Sequence, residues 1–148
     1  MNPYCGPKRD WFNDKGYYDP TVGQALASVS REEKARAWKP CVFICSPYAG
    51  DVAENTRRAK KYMRFAVDEG AIPFAPHLLY PQVLNEEDAK ERELGLFFGT
   101  VWLGKCEELW VFGDIISKGM AREIAWAAKR GLIIRYFTEE CEEIVERR

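Results

Sequence analysis

From Cys41 onward the sequence alternates short apolar segments with amphipathic ones, and this order restricts the fold more than any other feature. The apolar segments predict four strands, Cys41–Cys45, Ala71–Ala75, Leu109–Phe112 and Leu132–Phe137. Residues 52–69, 85–103 and 118–129 have helical periodicity and lie between them. Strands joined by helices form parallel sheets through right-handed crossovers. We therefore predict an α/β fold of the small flavodoxin- or Rossmann-like three-layer type, with a parallel sheet of about four to five strands.

Capping residues set the expected helix boundaries. Asn85 is expected to begin the second helix of this region, with three acidic residues in its first turn, where they favour the helix dipole. Ser117 is a suitable N-cap for the next helix, and Gly131 is expected to stop it. Thr138 is expected to cap a short acidic helix that runs to the C-terminus.

The first 40 residues have a different character from the rest. They contain several prolines, glycines and aromatic residues, which predict an irregular N-terminal arm. Asp19-Pro20-Thr21 can start a short helix to about Val29, and Ser30 with Glu33 matches a capping box for a second helix to about Trp38. The predicted domains are therefore an arm over residues 1–40 and an α/β domain over residues 41–148.

Composition excludes several classes of function. The chain has 148 residues and a formal net charge of -1, so general nucleic-acid binding is not predicted. No segment approaches the roughly 20 apolar residues of a membrane span, and the first residues lack the pattern of a signal peptide, which predicts a cytoplasmic location. The five cysteines are irregularly spaced and His77 is the single histidine. Buried, reduced cysteines are therefore favoured over a zinc site at Cys41 and Cys45, and no metal or cofactor is predicted.

Ligands of parallel α/β sheets bind beyond the carboxyl ends of the strands. The side chains expected there include Ser46 and Tyr48 after the first strand, His77 after the second and Asp114 after the third. Tyr48 could stack on a base or contact a sugar, or could simply pack within its loop. His77 could contact a ligand, act as an acid or have a structural role.

The segment Ser117-Lys-Gly-Met-Ala-Arg-Glu123 has the pattern of an anion-binding helix start. The free N–H groups of a first helical turn and the helix dipole favour an anion, and Gly119 allows a close approach of the backbone. Glu123 lies six residues after Ser117, nearly two turns, so the two share roughly the same side of the helix. A glutamate at this position could instead be an ordinary solvated residue.

Taken together, several segments resemble the nucleoside 2-deoxyribosyltransferase superfamily, and most closely its deoxynucleoside 5'-monophosphate N-glycosidase branch. The resemblance extends over residues 41–137 and includes uncharacterised phage and bacterial families of this fold. It rests on the order of Ser46-Pro47-Tyr48, Gly70…Pro76-His77, Trp102-Leu103, Cys106-Glu-Glu-Leu-Trp-Val-Phe-Gly113 and Ser117-Lys-Gly-Met-Ala-Arg-Glu123.

This resemblance implies roles for individual residues. It makes Glu123 the nucleophile that attacks the anomeric carbon of a deoxyribose and forms a glycosyl-enzyme intermediate. Water then gives hydrolysis, and a second base gives transfer. It also implies that Ser117 holds a 5'-phosphate, that the partner is a small-molecule nucleotide and that the protein is a homo-oligomer.

The sequence departs from the family at two helper positions. The family's second acid aligns with Gly99, and the tyrosine that orients the nucleophile aligns with Phe43. Loss of a proton donor costs on the order of 10²–10⁴ in rate. Asp114, Glu93 and His77 are candidate replacements. The alternative function is a catalytically impaired protein that senses or sequesters a nucleotide, with a possible role in phage–host conflict. An oligomeric scaffold is a third interpretation, for which the aromatic arm is the hint.

Overall fold

The structure is a computed structural model that describes residues 15–17, 20–35 and 38–145 of two compact units, Met1–Trp38 and Lys39–Arg148. In the described part of the first unit, the helix α1 (Pro20–Ala35) extends without a break over 16 residues. The prediction that Ser30 caps a second helix is therefore wrong, since helix propagation through its neighbours outweighs a local cap. Residues 1–14 and 18–19 of the predicted arm, and residues 36–37 just before the helix end predicted at about Trp38, lie outside the described residues.

The second unit is built on one sheet of five strands. They are β1 (Cys41–Cys45), β2 (Ile72–Phe74), β3 (Glu108–Phe112), β4 (Ile133–Phe137) and β5 (Glu143–Ile144), in the spatial order β2-β1-β3-β4-β5. All neighbouring pairs are parallel except β4 and β5, which are antiparallel. The predicted α/β class and the parallel sheet are confirmed, and β5 adds an edge strand.

Helices cover both faces of this sheet. The helix α2 (Val52–Asp68) packs on one face through a buried cluster that includes Tyr62 and Phe112, whose rings stack at 4.2 Å. On the other face lie α3 (Ala89–Leu103) and α4 (Lys118–Lys129), which bury Leu103 and Met120 against β1 and β3. The two clusters use alternate residues of the same strands, as the pleat requires, and they define three layers.

The start of α3 differs from the prediction. Asp88, not Asn85, is the N-cap, and its carboxylate accepts a hydrogen bond from the N–H of Lys90 at 2.9 Å. The Asn85 side chain instead accepts from the N–H of Glu87 at 3.0 Å, which makes a local turn. Asx residues stabilise turns as readily as helix starts, and here the turn precedes the helix.

The segment after β4 also differs from the prediction, because no helix begins at Thr138 in the part described, which ends at residue 145. The Thr138 hydroxyl accepts a hydrogen bond from the N–H of Glu142 at 3.1 Å and closes a turn. The chain then returns as β5, where Glu143 forms a bidentate ion pair with Arg135 of β4 at 2.8 and 2.9 Å. Pairing with the open edge of β4 satisfies more backbone groups than an isolated acidic turn of helix would.

Within the described ranges, no helix combines the length and the apolar character that a membrane crossing requires.

Candidate active site

A cavity of about 340 Å³ opens at the carboxyl ends of β1 and β3, between α3 and α4. Its walls come from the loops after β1 and β2, from the inner face of α3 and from the first two turns of α4. The volume lies within the range of about 300–1,000 Å³ typical of small-molecule sites. This cavity, called the α3–α4 cavity below, is therefore large enough to hold a small ligand at the sheet edge where α/β proteins bind ligands.

The start of α4 forms one wall of the α3–α4 cavity. Ser117 is the N-cap, and its hydroxyl oxygen accepts a hydrogen bond from the N–H of Met120 at 3.3 Å. Ser117, Lys118 and Gly119 all line the cavity. The amides of the first helical turn have no carbonyl partners within the helix, and the dipole makes this end electropositive. This wall therefore suits an anionic group.

Cations add to the positive character of this wall. Lys118 and Arg122 of α4 and Arg92 of α3 all line the α3–α4 cavity. None of the three forms a hydrogen bond or ion pair with another residue of the described ranges. Their charges are therefore available to a ligand. The sequence reasoning did not select them, since charged residues near helix ends are common.

Glu123 lines the same cavity, one turn and a half beyond Ser117 on α4. The side chain is largely buried, and this burial raises the pKa of its carboxyl group to about 7, although a hydrogen bond with the Cys45 thiol opposes the increase. Near neutral pH the group therefore divides between the acid and the carboxylate, which gives it both proton-transfer and nucleophilic character.

Cys45 is the neighbour of Glu123 that the sequence reasoning missed as a functional residue. It is fully buried at the end of β1, and its Sγ lies 3.9 Å from the carbonyl oxygen of Met120. Burial and the nearby Glu123 carboxylate both raise the pKa of the thiol, so that Cys45 stays protonated and can donate a hydrogen bond. The sequence contains one indication of this role: Cys45 lies two residues after Phe43, the position of the family's orienting tyrosine, and therefore on the same face of the strand.

The loops after β1 and β2 meet on the opposite side of the cavity. Ser46 is 7% exposed, and its Oγ lies 3.2 Å from Nε2 of His77, within hydrogen-bonding distance. The Tyr48 ring lies against the imidazole, with the ring centroids 5.8 Å apart. Burial lowers the pKa of His77 to about 4, so the imidazole is neutral at physiological pH and can serve as a hydrogen-bonding group.

The inner face of α3 contributes two glycines to the cavity lining, Gly95 and Gly99, beside Arg92, Leu96, Thr100 and Leu103. A methyl group built on Gly99 would lie 3.7 Å from the Pro76 ring, an ordinary contact, so packing does not force glycine there. The second carboxylate in the cavity comes from Glu86, in the loop before α3. The sequence reasoning placed Glu86 only in the first turn of a helix.

Two residues that were candidate acids lie outside the α3–α4 cavity. Asp114 and Glu93 are both exposed, and neither lines the α3–α4 cavity. The structure thus brings together Ser46, Tyr48, His77, Ser117, Gly119 and Glu123, and separates Asp114 from them. No cluster of three or more His, Cys, Asp or Glu side chains that could hold a metal ion occurs in the described part of the chain.

A smaller cavity of about 200 Å³ lies on the α2 side of β1 and β3 and shares Ser46 with the α3–α4 cavity. Its cation, Arg58, forms ion pairs with Glu54 and Glu139, each at 3.1 Å. Arg57 also pairs with Glu54 at 2.6 Å. These charges are already compensated by protein groups, so this cavity has no unpaired charge for a ligand.

Comparison with solved structures defines the class of fold. The chain has a nucleoside 2-deoxyribosyltransferase-like fold, which it shares with the 2-deoxyribosyltransferase of Bacillus psychrosaccharolyticus at a TM-score of 0.57 and 17% identity, over 72% of this chain and 77% of that one. In sequence, the chain belongs to the family described as a domain of unknown function (DUF7768), which matches residues 40–137. No curated protein is significantly similar in sequence.

Two further structures have lower similarity. The CMP N-glycosidase of Clostridium botulinum gives a TM-score of 0.43 at 17% identity, over 66% of this chain and 71% of that one. The 2-deoxyribosyltransferase of Leishmania mexicana gives a TM-score of 0.45 at 14% identity, over 67% of this chain and 64% of that one.

Proposed function

We propose that this protein cleaves the N-glycosidic bond of a deoxynucleoside 5'-monophosphate, with Glu123 as the nucleophile. The observation that carries this proposal is that the largely buried Glu123 carboxyl group shares one cavity with the anion-favouring start of α4. The fold in common with the Bacillus 2-deoxyribosyltransferase supports the reaction class.

The phosphate is expected to bind at the start of α4. Ser117 accepts a hydrogen bond from Met120, which leaves its own hydroxyl hydrogen free for a phosphate oxygen. The first-turn amides and the cations Lys118 and Arg122 supply further donors and compensate the negative charge. A ligand anchored here extends along α4, and its sugar comes near Glu123 because Glu123 lines the same cavity less than two turns further along the helix.

In the first step a Glu123 carboxylate oxygen attacks C1' of the sugar, and the bond from C1' to the base nitrogen breaks with its electron pair going to the base. A carboxylate suits this step because it stabilises the oxocarbenium character and then forms the ester. In the second step water attacks C1' and releases a deoxyribose 5-phosphate, which regenerates Glu123. A second base that replaces water gives base transfer.

The test is base release from a panel of deoxynucleoside monophosphates, followed by chromatography. Glu123→Gln is expected to lower the rate by at least about 10³-fold, since an absent nucleophile cannot form the intermediate. Glu93→Gln is the matched control, because it removes the same charge from an exposed position outside the cavity. No base release by the wild-type protein from any member of the panel would reject the proposal.

A nucleotide-binding protein without turnover is the second candidate, and one observation favours it. Gly99 presents no carboxyl group to the cavity at the position of the family's second acid. For this candidate, calorimetry would detect monophosphate binding while the wild-type protein and Glu123→Gln both leave the glycosidic bond intact.

Supplying free base to an active protein further separates hydrolysis from transfer, since transfer yields a new nucleotide.

A further inference from the structure

The proposed function, on which this inference rests, requires a group that protonates the leaving base. A purine or pyrimidine anion is a poor leaving group, and a positioned proton donor increases the rate by about 10²–10⁴-fold. The inner face of α3 supplies no carboxyl group, because the α3 residues that line the cavity are Arg92, Gly95, Leu96, Gly99, Thr100 and Leu103. A donor must therefore come from another part of the cavity wall.

Glu86 is the acidic residue that the local structure directs into the cavity. It belongs to a run of three acidic residues, of which Glu86 is half-buried and lines the cavity, whereas Glu87 and Asp88 are exposed and do not. Two hydrogen bonds to the backbone hold this loop, from the N–H of Glu87 to the Asn85 side chain and from the N–H of Asn85 to the Glu91 carboxylate, each at 3.0 Å. The orientation of Glu86 therefore follows from a built turn.

Glu86 is also near the aromatic side of the cavity. Glu86 and Tyr48 line the same cavity, and burial together with the Glu86 charge raises the pKa of Tyr48. Tyr48 packs on His77, and His77 contacts Ser46 at 3.2 Å. Ser46 directly follows Cys45, the partner of Glu123. The Glu86 and Glu123 carboxyl groups therefore line one cavity, and the Tyr48–His77–Ser46 wall belongs to the same cavity.

The other candidate proton donors are either engaged elsewhere or lie outside the cavity lining. His77 has its Nε2 at 3.2 Å from Ser46 Oγ, so this ring nitrogen already has a partner within the protein. Asp114 and Glu93 are exposed and do not line the cavity. Glu123 is used as the nucleophile. Within the described residues, Glu86 is the remaining carboxyl group on the cavity wall.

We propose that Glu86 is the proton donor to the leaving base and the proton acceptor for the attacking water. In its acid form Glu86 gives a proton to a ring nitrogen of the base while the C1'–N bond breaks, and the base leaves neutral. The Glu86 carboxylate then takes a proton from water as the water oxygen bonds to C1'. The ester to Glu123 breaks, and both glutamates return to their starting forms.

The experiment compares two substrates in the variant Glu86→Gln. One is the nucleotide from which the wild-type protein releases base fastest. The other is its analogue with a base that leaves without being protonated, 7-methylguanine for a purine substrate or 5-nitrouracil for a pyrimidine substrate. We expect Glu86→Gln to lose about 10²–10⁴-fold on the first substrate and less than about 10-fold on the second. Glu87→Gln, the exposed neighbour, is the matched control and is expected to keep wild-type rates on both.

Other outcomes overturn the inference in distinguishable ways. Equal losses on both substrates would show that Glu86 binds or supports the loop and transfers no proton. Wild-type rates in Glu86→Gln would show that it has no role in the reaction, while the proposed function would stand. If the wild-type protein releases no base from any substrate, the proposed function fails and this inference fails with it.

Discussion

Ser46 and His77 join the ends of two neighbouring strands, with Ser46 Oγ 3.2 Å from His77 Nε2. The parallel pairing of β1 with β2 brings their carboxyl ends to the same edge of the sheet, although the two residues are 31 positions apart in the chain. This contact fixes one side of the α3–α4 cavity. It also keeps the single histidine of the sequence neutral, so the lowered pKa of His77 can be used to test the environment of the site.

Folding stability should decrease in acid because of His77. Its pKa is about 4 in the folded protein and near 6.5 when unfolded, so the unfolded chain takes up the proton first. The contribution of neutral His77 is complete above about pH 6.5 and is lost as the pH falls through 4. His77→Gln should therefore lose less unfolding free energy than the wild type between pH 7 and pH 5 in urea titrations. Identical losses in the two proteins would contradict the assigned environment.

The contribution of Glu123 to folding stability should depend on pH in the opposite direction. Its pKa rises from 4.5 to about 7 on folding, so the folded state holds the proton more tightly and loses stability as the pH rises from 4.5 through 7. Glu123→Gln should be more stable than the wild type at pH 8, by on the order of 3 kcal/mol, and nearly equal to it at pH 4.5. Glu93→Gln, at an exposed position, should show no such pH-dependent gain. Chemical denaturation at the two pH values measures this difference.

The rate of base release should increase with pH near neutrality. The nucleophile must be ionised, and burial sets the pKa of Glu123 at about 7. For a substrate whose base leaves without being protonated, we expect kcat/KM to rise about tenfold per pH unit below this value and to level off above it. A rate that stays constant between pH 5.5 and 8, with a chemical step shown to limit turnover, would argue against Glu123 as the nucleophile.

Ser117→Ala should affect stability and phosphate recognition together. Loss of the cap to the Met120 N–H should cost about 1 kcal/mol of unfolding free energy. The KM for a monophosphate should rise, while the KM for the corresponding nucleoside should change little. Asp51→Ala is the matched control, since Asp51 caps α2 through the N–H of Glu54 at 3.2 Å but lies outside the cavity lining. An equal rise in KM for both ligands would exclude a phosphate contact at Ser117.

Much of the fold could be predicted from periodicity, because strand and helix patterns depend mainly on which face of a segment is buried. The four parallel strands and α2 and α4 follow this pattern, and the cap at Ser117 is found where its sequence predicts it. The errors at Asn85 and Thr138 share a cause, since each residue can cap a helix or close a turn and the choice depends on neighbouring segments. The error at Ser30 has another cause, because α1 continues through this residue.

In the candidate site, too, some features follow from the sequence and others from tertiary packing. Sequence alone determined that Ser117, Gly119 and Glu123 lie at the cap and within the first two turns of a helix that follows a strand. Only the tertiary structure decided that Glu86 lines the cavity, that Cys45 is a hydrogen-bond partner of Glu123, and that Asp114 lies outside the cavity lining. Their positions depend on how separate segments pack, and the burial that sets the pKa of Glu123 near 7 is a property of that packing.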